Sequence, residues 1–430
     1  MRTNIKRYRK SKQRNVDEEE HQVILSSADL ASHDDVLTEI LLRLPIRSLL
    51  RSKCVSKHWR SLISNHRFAH LRNPNPNPPR GLFLRRIADV TPPKYDFVPF
   101  DCEKNVKPPF KTLNFHGNVS NSGIVVLHSS NGLMLCHSLH EYYRKMSKEI
   151  VYNAKYYVYN PTINQVATLP KLEGCDWFQR RPRGMTLAFD PMKSPHYKVV
   201  CVRGYLWSDH LYNIEIYSSE KGSWKMSGKP FANQIDTEFM GGVYWNDAVH
   251  WINKKGYILY LKMDADRLDQ IPTPIVREGW NVKRHCYPLV ESRDCLLFID
   301  IFPPFSMKFD VHEMNRDYSG WSVKYHIDLN ESITGFPETT EMTLTLLGIF
   351  RPLQSFVIHC LVLGEREEDS FLVLEVPGKA IRYNIVLKTC QELCDLEISR
   401  PSRLSVADDG LSKVGRWPGA FQFYESLCHV

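Results

Sequence analysis

The residues best equipped for chemistry in this 430-residue chain are its 17 histidines and 11 cysteines, and their spacing assembles no reactive centre. His312-Glu313 is followed by Met314-Asn315-Arg316, so the second histidine that a helical His-Glu-x-x-His zinc site needs is missing. Cys390 and Cys394 would share one face of a helix, but no paired histidines stand nearby to complete a tetrahedral set. Neither a Gly-x-Ser-x-Gly turn to expose a nucleophile nor a glycine loop with a phosphate-binding lysine occurs. No catalytic residue, metal ligand or cofactor is expected, and the chain reads as non-enzymatic. Trp224, Trp245, Trp251 and Trp321 read as sheet core rather than as a stacking platform for sugars.

Composition narrows the remaining classes. No apolar run approaches the roughly 18 residues of a bilayer span, and the basic N-terminus lacks the apolar stretch of a signal peptide, so no membrane partner is expected. An odd cysteine count without a Cys-x-x-Cys pair argues against a disulfide framework. The net charge of +8 comes in good part from Arg2, Lys6, Arg7, Arg9, Lys10, Lys12 and Arg14, followed by the acidic Asp17 to Glu20. That pairing of blocks reads as a disordered tail over residues 1–29. Nucleic acid is not an expected partner, because nothing in the body of the chain resembles a zinc finger, a recognition helix or an RNA-stacking sheet. Lys6-Arg7-Tyr8-Arg9-Lys10 fits a nuclear-import signal or a plain solvated tail, and the expected location is nucleus and cytoplasm.

Apolar surplus marks residues 30–72 instead. Val36, Leu37, Ile40, Leu41, Leu42 and Leu44 crowd one short helix, more than the single stripe of a surface helix needs. Asp34 and Asp35 suit the N-terminus of that helix, and Pro45 both stops it and suits the first turn of the next. Leu49 and Leu50 give the second helix an apolar face, and Val55, Trp59, Leu62 and Ile63 recur at helical spacing in the third. So small a three-helix unit has too little core to stand alone without a partner. It reads as a docking module.

The segment resembles an F-box, through Asp35 to Leu37, Glu39-Ile40-Leu41, Leu44-Pro45, Ser48-Leu49, Cys54-Val55-Ser56-Lys57, Trp59-Arg60, Leu62-Ile63 and Phe68 in order. The resemblance implies docking to a Skp-type adaptor, and through it to a cullin–RING core, with Leu37, Ile40, Leu41, Leu44, Pro45, Leu49, Val55, Trp59 and Leu62 as the adaptor-binding residues. One departure stands out: the family opens on a Leu-Pro pair where this chain has Ser32-His33.

Beyond residue 72 the pattern changes. Alternating prolines from Pro74 to Pro79 hold the chain extended and stiff, so residues 73–112 read as a spacer and irregular lead-in that carries strand-like pieces such as Gly81-Leu82-Phe83-Leu84. Over 113–400, short β-branched and aromatic runs alternate with turn signals: Ile124 to Leu127, Gly132 to Cys136, Tyr156 to Tyr159, Lys198 to Val202 and Leu296 to Ile301. A strand, a polar turn and a strand opening on a large residue recur, leading to Val166, Trp224 and Trp321, with related runs at Tyr257 to Leu261 and Ile381 to Asn384. In the hairpins before Trp224 and Trp321 a glycine is expected to supply the positive φ. The intervals suit the blades of a kelch-like propeller, about six of them. The fold expectation is therefore α+β, a three-helix module before a large all-β propeller, with a C-terminal segment over 401–430.

Residues 113–275 also resemble the F-box-associated domain of plant F-box proteins, through Ser130-Asn131-Gly132-Leu133, Tyr159-Asn160-Pro161-Thr162, Phe189-Asp190-Pro191, His196 to Val200, Tyr217-Ser218-Ser219, Gly242 to Trp245 and His250-Trp251. Together the resemblances imply a substrate-recognition subunit of a Skp–cullin–F-box ubiquitin ligase, which holds a target protein on its β domain for ubiquitination and degradation. Two other readings stay open: a non-degradative β-propeller scaffold, adaptor-bound or free, kept alive by Ser32-His33; and a propeller hydrolase, which would need clustered carboxylates that the sequence does not show.

Overall fold

The computed structural model describes residues 34–72, 78–86, 93–101, 108, 110, 113, 123–138, 155–172, 180–205, 208–232, 237, 239–253, 255–274, 289–301, 307–333, 342–344, 350–352, 356–376, 378–396 and 419–430. The tail over 1–29, Ser32-His33 and the spacer over 73–77 lie outside them. Two compact units divide the chain, Met1–Pro74 and Asn75–Val430.

The first unit holds helices α1 over residues 34–42, α2 (Ile46–Ser52), α3 (Lys57–Ser64) and α4 (His66–Arg72). Leu41, Ile46, Leu49, Ile63 and Phe68 are buried and form its core. Two local features differ from the sequence expectation. A fourth helix follows the three expected, because Asn65 turns extended (φ −72, ψ 135) and its side chain accepts from the Arg67 N–H at 2.9 Å, ending α3 and starting α4. Ser56 takes the N-cap of α3, its Oγ accepting from the Trp59 N–H at 3.1 Å. Val55 consequently sits in the preceding turn rather than on the helix with Trp59. Pro45 stands at the N-cap of α2, one residue ahead of the first turn.

In the second unit β1 (Gly81–Arg85) and β2 (Tyr95–Pro99) come first. Four blades follow, each a four-stranded antiparallel meander: β3 (Ile124–Ser130), β4 (Leu133–Ser138), β5 (Tyr156–Asn160) and β6 (Gln165–Thr168); β7 (Arg180–Ala188), β8 (Lys198–Tyr205), β9 (Ser208–Ser218) and β10 (Ser223–Ala232); β11 (Val243–Trp245), β12 (Ala248–Asn253), β13 (Tyr257–Lys262) and β14 (Arg267–Pro272); β15 (Leu289–Ser292), β16 (Cys295–Asp300), β17 (Lys308–Met314) and β18 (Trp321–Asp328). A separate hairpin, β19 (Met342–Leu344) with β20 (Phe350–Pro352), precedes the fifth blade, β21 (Val357–Val362), β22 (Phe371–Val376), β23 (Lys379–Asn384) and β24 (Cys390–Asp395). Then β25 (Ala420–Phe423) pairs with β1, giving the order β2-β1-β25.

This last sheet is the sixth blade. The innermost strands β3, β7, β11, β15 and β21 touch in succession, and β25 touches both β21 and β3, so the ring closes. Six apolar clusters fill the six seams between neighbouring blades. The seam between the closing blade and the first stacks Phe83 on Phe110 (4.1 Å) and sets Phe423 edge-on to Phe83 (5.9 Å). The closing blade explains why β1 and β2 fall in the segment expected as spacer and lead-in, and β25 in the C-terminal segment. Its strands come from opposite ends of the unit, so no local period in the sequence marks them as one sheet.

Turn chemistry repeats around the ring. The two-residue turns Asn131-Gly132, Asn246-Asp247 and Arg293-Asp294 all have positive φ at both positions, the twist that joins adjacent antiparallel strands. Gly132 (φ 89) also meets Ser426, whose Cβ would lie 2.4 Å from any Cβ placed there. Gly222 supplies the positive φ between β9 and β10 as expected, but between β17 and β18 Tyr318 does so (φ 62), not Gly320. Stacking of Tyr318 on Tyr260 (4.8 Å, 8°) and its contact with His250 Nε2 (3.1 Å) offset the strain of a bulky residue in that region.

Candidate functional site

In the helical unit, side chains divide by depth. Leu41 and Leu49 are fully buried in the unit's own core; Leu37, Leu44, Trp59 and Leu62 are half-buried; Ile40, Pro45 and Val55 lie on the surface. Val36 and Ile40, one turn apart on α1, are 57% and 54% exposed, and Val55 is 63% exposed. Leu71 on α4, near the end of the helical stretch and without a distinguishing signal in the sequence, is also exposed. Covering a large aliphatic side chain gains about 1.5–3 kcal/mol, so Ile40 and Val55 are unspent binding energy.

A polar frame fixes the display. From α4, the Arg72 guanidinium donates to the carbonyls of Leu42 (3.0 Å) and Leu44 (2.6 Å), capping the end of α1. His58 Nε2 meets Asp34 Oδ1 at 2.7 Å, tying α3 to the start of α1. Burial, with Arg60 nearby, lowers the Lys53 pKa. Arg43, Arg47, Arg51, Lys53, Lys57 and Arg60 outnumber Asp34, Asp35 and Glu39, so the unit presents a cationic, partly apolar surface.

The propeller turns its candidate chemical groups into structure. His312 and Glu313 lie on strand β17, and Glu313 pairs with Lys324 at 2.7 Å. Cys390 and Cys394 lie on strand β24, not on a helix, and a register shift opposite them sends Cys390 to one seam and Cys394 to the other. Burial pushes both thiols up to about 11. His128 and His250 are pushed down to about 4 by burial and so are neutral at pH 7. Among the described residues no group of three His, Cys, Asp or Glu could hold a metal ion.

Tryptophans join blades. Trp245 and Trp251 are buried in the seams on either side of the third blade. Trp224 and Trp321, each at the start of an outermost strand, donate their indole N–H at 2.9 Å to the carbonyls of Pro170 and Pro272, at the outer edge of the preceding blade. Asn160, expected as turn chemistry, does more: its side chain accepts from the Thr162 N–H and donates to the carbonyls of Ser426 (3.0 Å) and Cys428 (2.7 Å).

A helical docking unit ahead of a closed propeller is the build of a two-module recognition protein. Residues 33–71 match the F-box domain and residues 97–283 the F-box associated beta propeller domain. The chain is 32% identical to F-box protein At5g07610 of Arabidopsis thaliana, over 94% of both chains. It is 26% identical to F-box/kelch-repeat protein At3g23880 of the same plant, over 62% of this chain and 71% of that protein. The chain belongs to the F-box proteins with an associated β-propeller domain. Membership implies a substrate-receptor type of role in Skp–cullin–F-box ligases, with the F-box for a Skp-type adaptor and the propeller for the substrate.

Proposed function

We propose that this chain docks a Skp-type adaptor through Val36, Ile40, Pro45, Val55 and the exposed parts of Leu37, Leu44, Trp59 and Leu62, with Leu41 and Leu49 supporting that surface from beneath. The observation that carries the reading is the exposed aliphatic set on a unit of the F-box family. The adaptor links the chain to a cullin–RING core, and the propeller holds a substrate protein beside the charged ubiquitin-conjugating enzyme. The chain itself makes and breaks no bond; it raises the effective concentration of a substrate lysine at the thioester. It works in nucleus and cytoplasm, and the basic cluster at Lys6 to Lys10 supports the nuclear share.

Co-expression with a Skp adaptor and purification through the adaptor test this. Stoichiometric recovery of the wild type, lost in Ile40→Asp and Val55→Asp while both variants stay folded, is the expected result; a charge on a buried aliphatic contact should lower affinity at least tenfold. Failure of the folded wild type to bind would favour the non-degradative scaffold instead.

A further inference from the structure

Residues 424–430 follow the closing strand β25 without forming regular structure, yet they are firmly seated. They leave the sixth blade and run over the first, where Ser426 and Leu427 are buried. Their seat is one strand-turn-strand of the first blade, from Asn160 at the end of β5 to Gln165 at the start of β6. Buried Asn160 holds the carbonyls of Ser426 and Cys428 with its side-chain N–H groups, and its Oδ1 accepts from the Thr162 N–H at 2.9 Å. Thr162 Oγ1 in turn accepts from the Ser426 N–H at 3.1 Å. Farther along, Gln165 Oε1 accepts from the Val430 N–H at 3.2 Å and meets His429 Nδ1 at 3.0 Å. Cys428 and Val430 pack against the apolar seam between the first and second blades.

Buried backbone groups outside a ladder must find other partners, and here three side chains of a single hairpin supply them. The strand that precedes them is short: β25 pairs with β1 over four residue pairs, Ala420 to Phe423 against Leu84 to Gly81. So short an edge pairing has little hold of its own. Segments held by a few side chains open locally at lower free energy than core strands do. Strand and seated segment are continuous in the chain, so β25 cannot leave β1 by more than a short distance while Asn160 and Thr162 keep hold of Ser426.

We propose that residues 424–430 form a latch, with Asn160 as its catch, which sets how often β25 parts from β1 and the ring opens. Gly132 is part of the fitting, since a Cβ there would lie 2.4 Å from Ser426 Cβ and 3.0 Å from the Tyr424 carbonyl oxygen. With the latch seated, the first and sixth blades act as one piece. With it released, the inner edge of β1 is left unpaired.

Backbone amide hydrogen exchange of the full chain, followed by mass spectrometry, tests this. Asn160→Asp keeps the acceptor for the Thr162 N–H but turns a carboxylate oxygen toward the two carbonyls in place of the donor. Exchange over residues 424–430, and with it exchange over β25 and β1, should rise about tenfold or more, while the strands from β7 to β18 exchange as in the wild type. A rise confined to residues 424–430 would overturn the proposal, because the segment would then release without loosening the strand pair. A rise shared evenly by every blade would overturn it too, by showing that Asn160 serves general stability. So would unchanged exchange in all three segments. Thr162→Val, which removes only the acceptor for the Ser426 N–H, is expected to give the same pattern at about fivefold, and it carries the same reading should Asn160→Asp misfold.

Discussion

Phe423→Ala should loosen the propeller where β25 closes the ring. Phe423 is 6% exposed on the innermost strand of the closing blade, where it faces Gly81 across the β1–β25 ladder. Its ring packs edge-on against Phe83 and Phe97, each 5.9 Å away. Truncation removes the apolar burial, leaves a cavity, and loses two aromatic pairs, together about 3–5 kcal/mol. Against a domain stability of roughly 5–15 kcal/mol, that is a large share. Equilibrium urea denaturation of the full chain, followed by tryptophan fluorescence, measures it. The propeller transition should move to lower urea by that amount, while Met226→Ala at a half-exposed outer position stays within about 0.5 kcal/mol of wild type. A shift below 1 kcal/mol for Phe423→Ala would refute closure by β25.

Two further outcomes follow from buried charge. Glu215→Leu should destabilise by about 3–5 kcal/mol by stranding the Arg203 guanidinium, whereas Arg203→Met with Glu215→Leu should recover most of the loss, measured as a double-mutant cycle in urea. Burial, with Asp294 and Asp190 nearby, raises Glu291 to about 7 despite its bond from the Asp294 N–H. Because the folded state then binds the proton more tightly than the unfolded chain, Glu291 contributes most at about pH 4 and loses that contribution as pH rises toward 7. Glu291→Gln should flatten the stability profile between pH 5 and 8 by on the order of 2 kcal/mol relative to wild type, and an identical profile would refute the assignment.

Local signals carried much of this architecture. Strand runs such as Ile124 to Leu127 and Leu296 to Ile301 show their β-branched composition directly, and the apolar crowding from Val36 to Leu44 marked a helix with more apolar surface than its own core covers. Other features depend on partners far along the chain. Nothing around Phe421 or Phe423 points to β1, because the pairing joins opposite ends of the unit. The strand setting of Cys390 and Cys394 overrode their helical spacing, since β23 supplies a ladder that spacing alone does not reveal. Tyr318 rather than Gly320 carries the positive φ because Tyr260 and His250 hold it from another blade.

Ring closure also sets a schedule for synthesis. The helical unit is complete once α4 has left the ribosome, whereas β1 waits for β25, made only after every other blade. At ~5–20 residues per second the wait is on the order of 20–70 s. Throughout that interval the edge of β1 is unpaired on its inner side and exposed to mispairing. A nascent chain can thus present its docking helices long before its recognition surface exists, and quality control must tolerate an open ring until the final strand arrives.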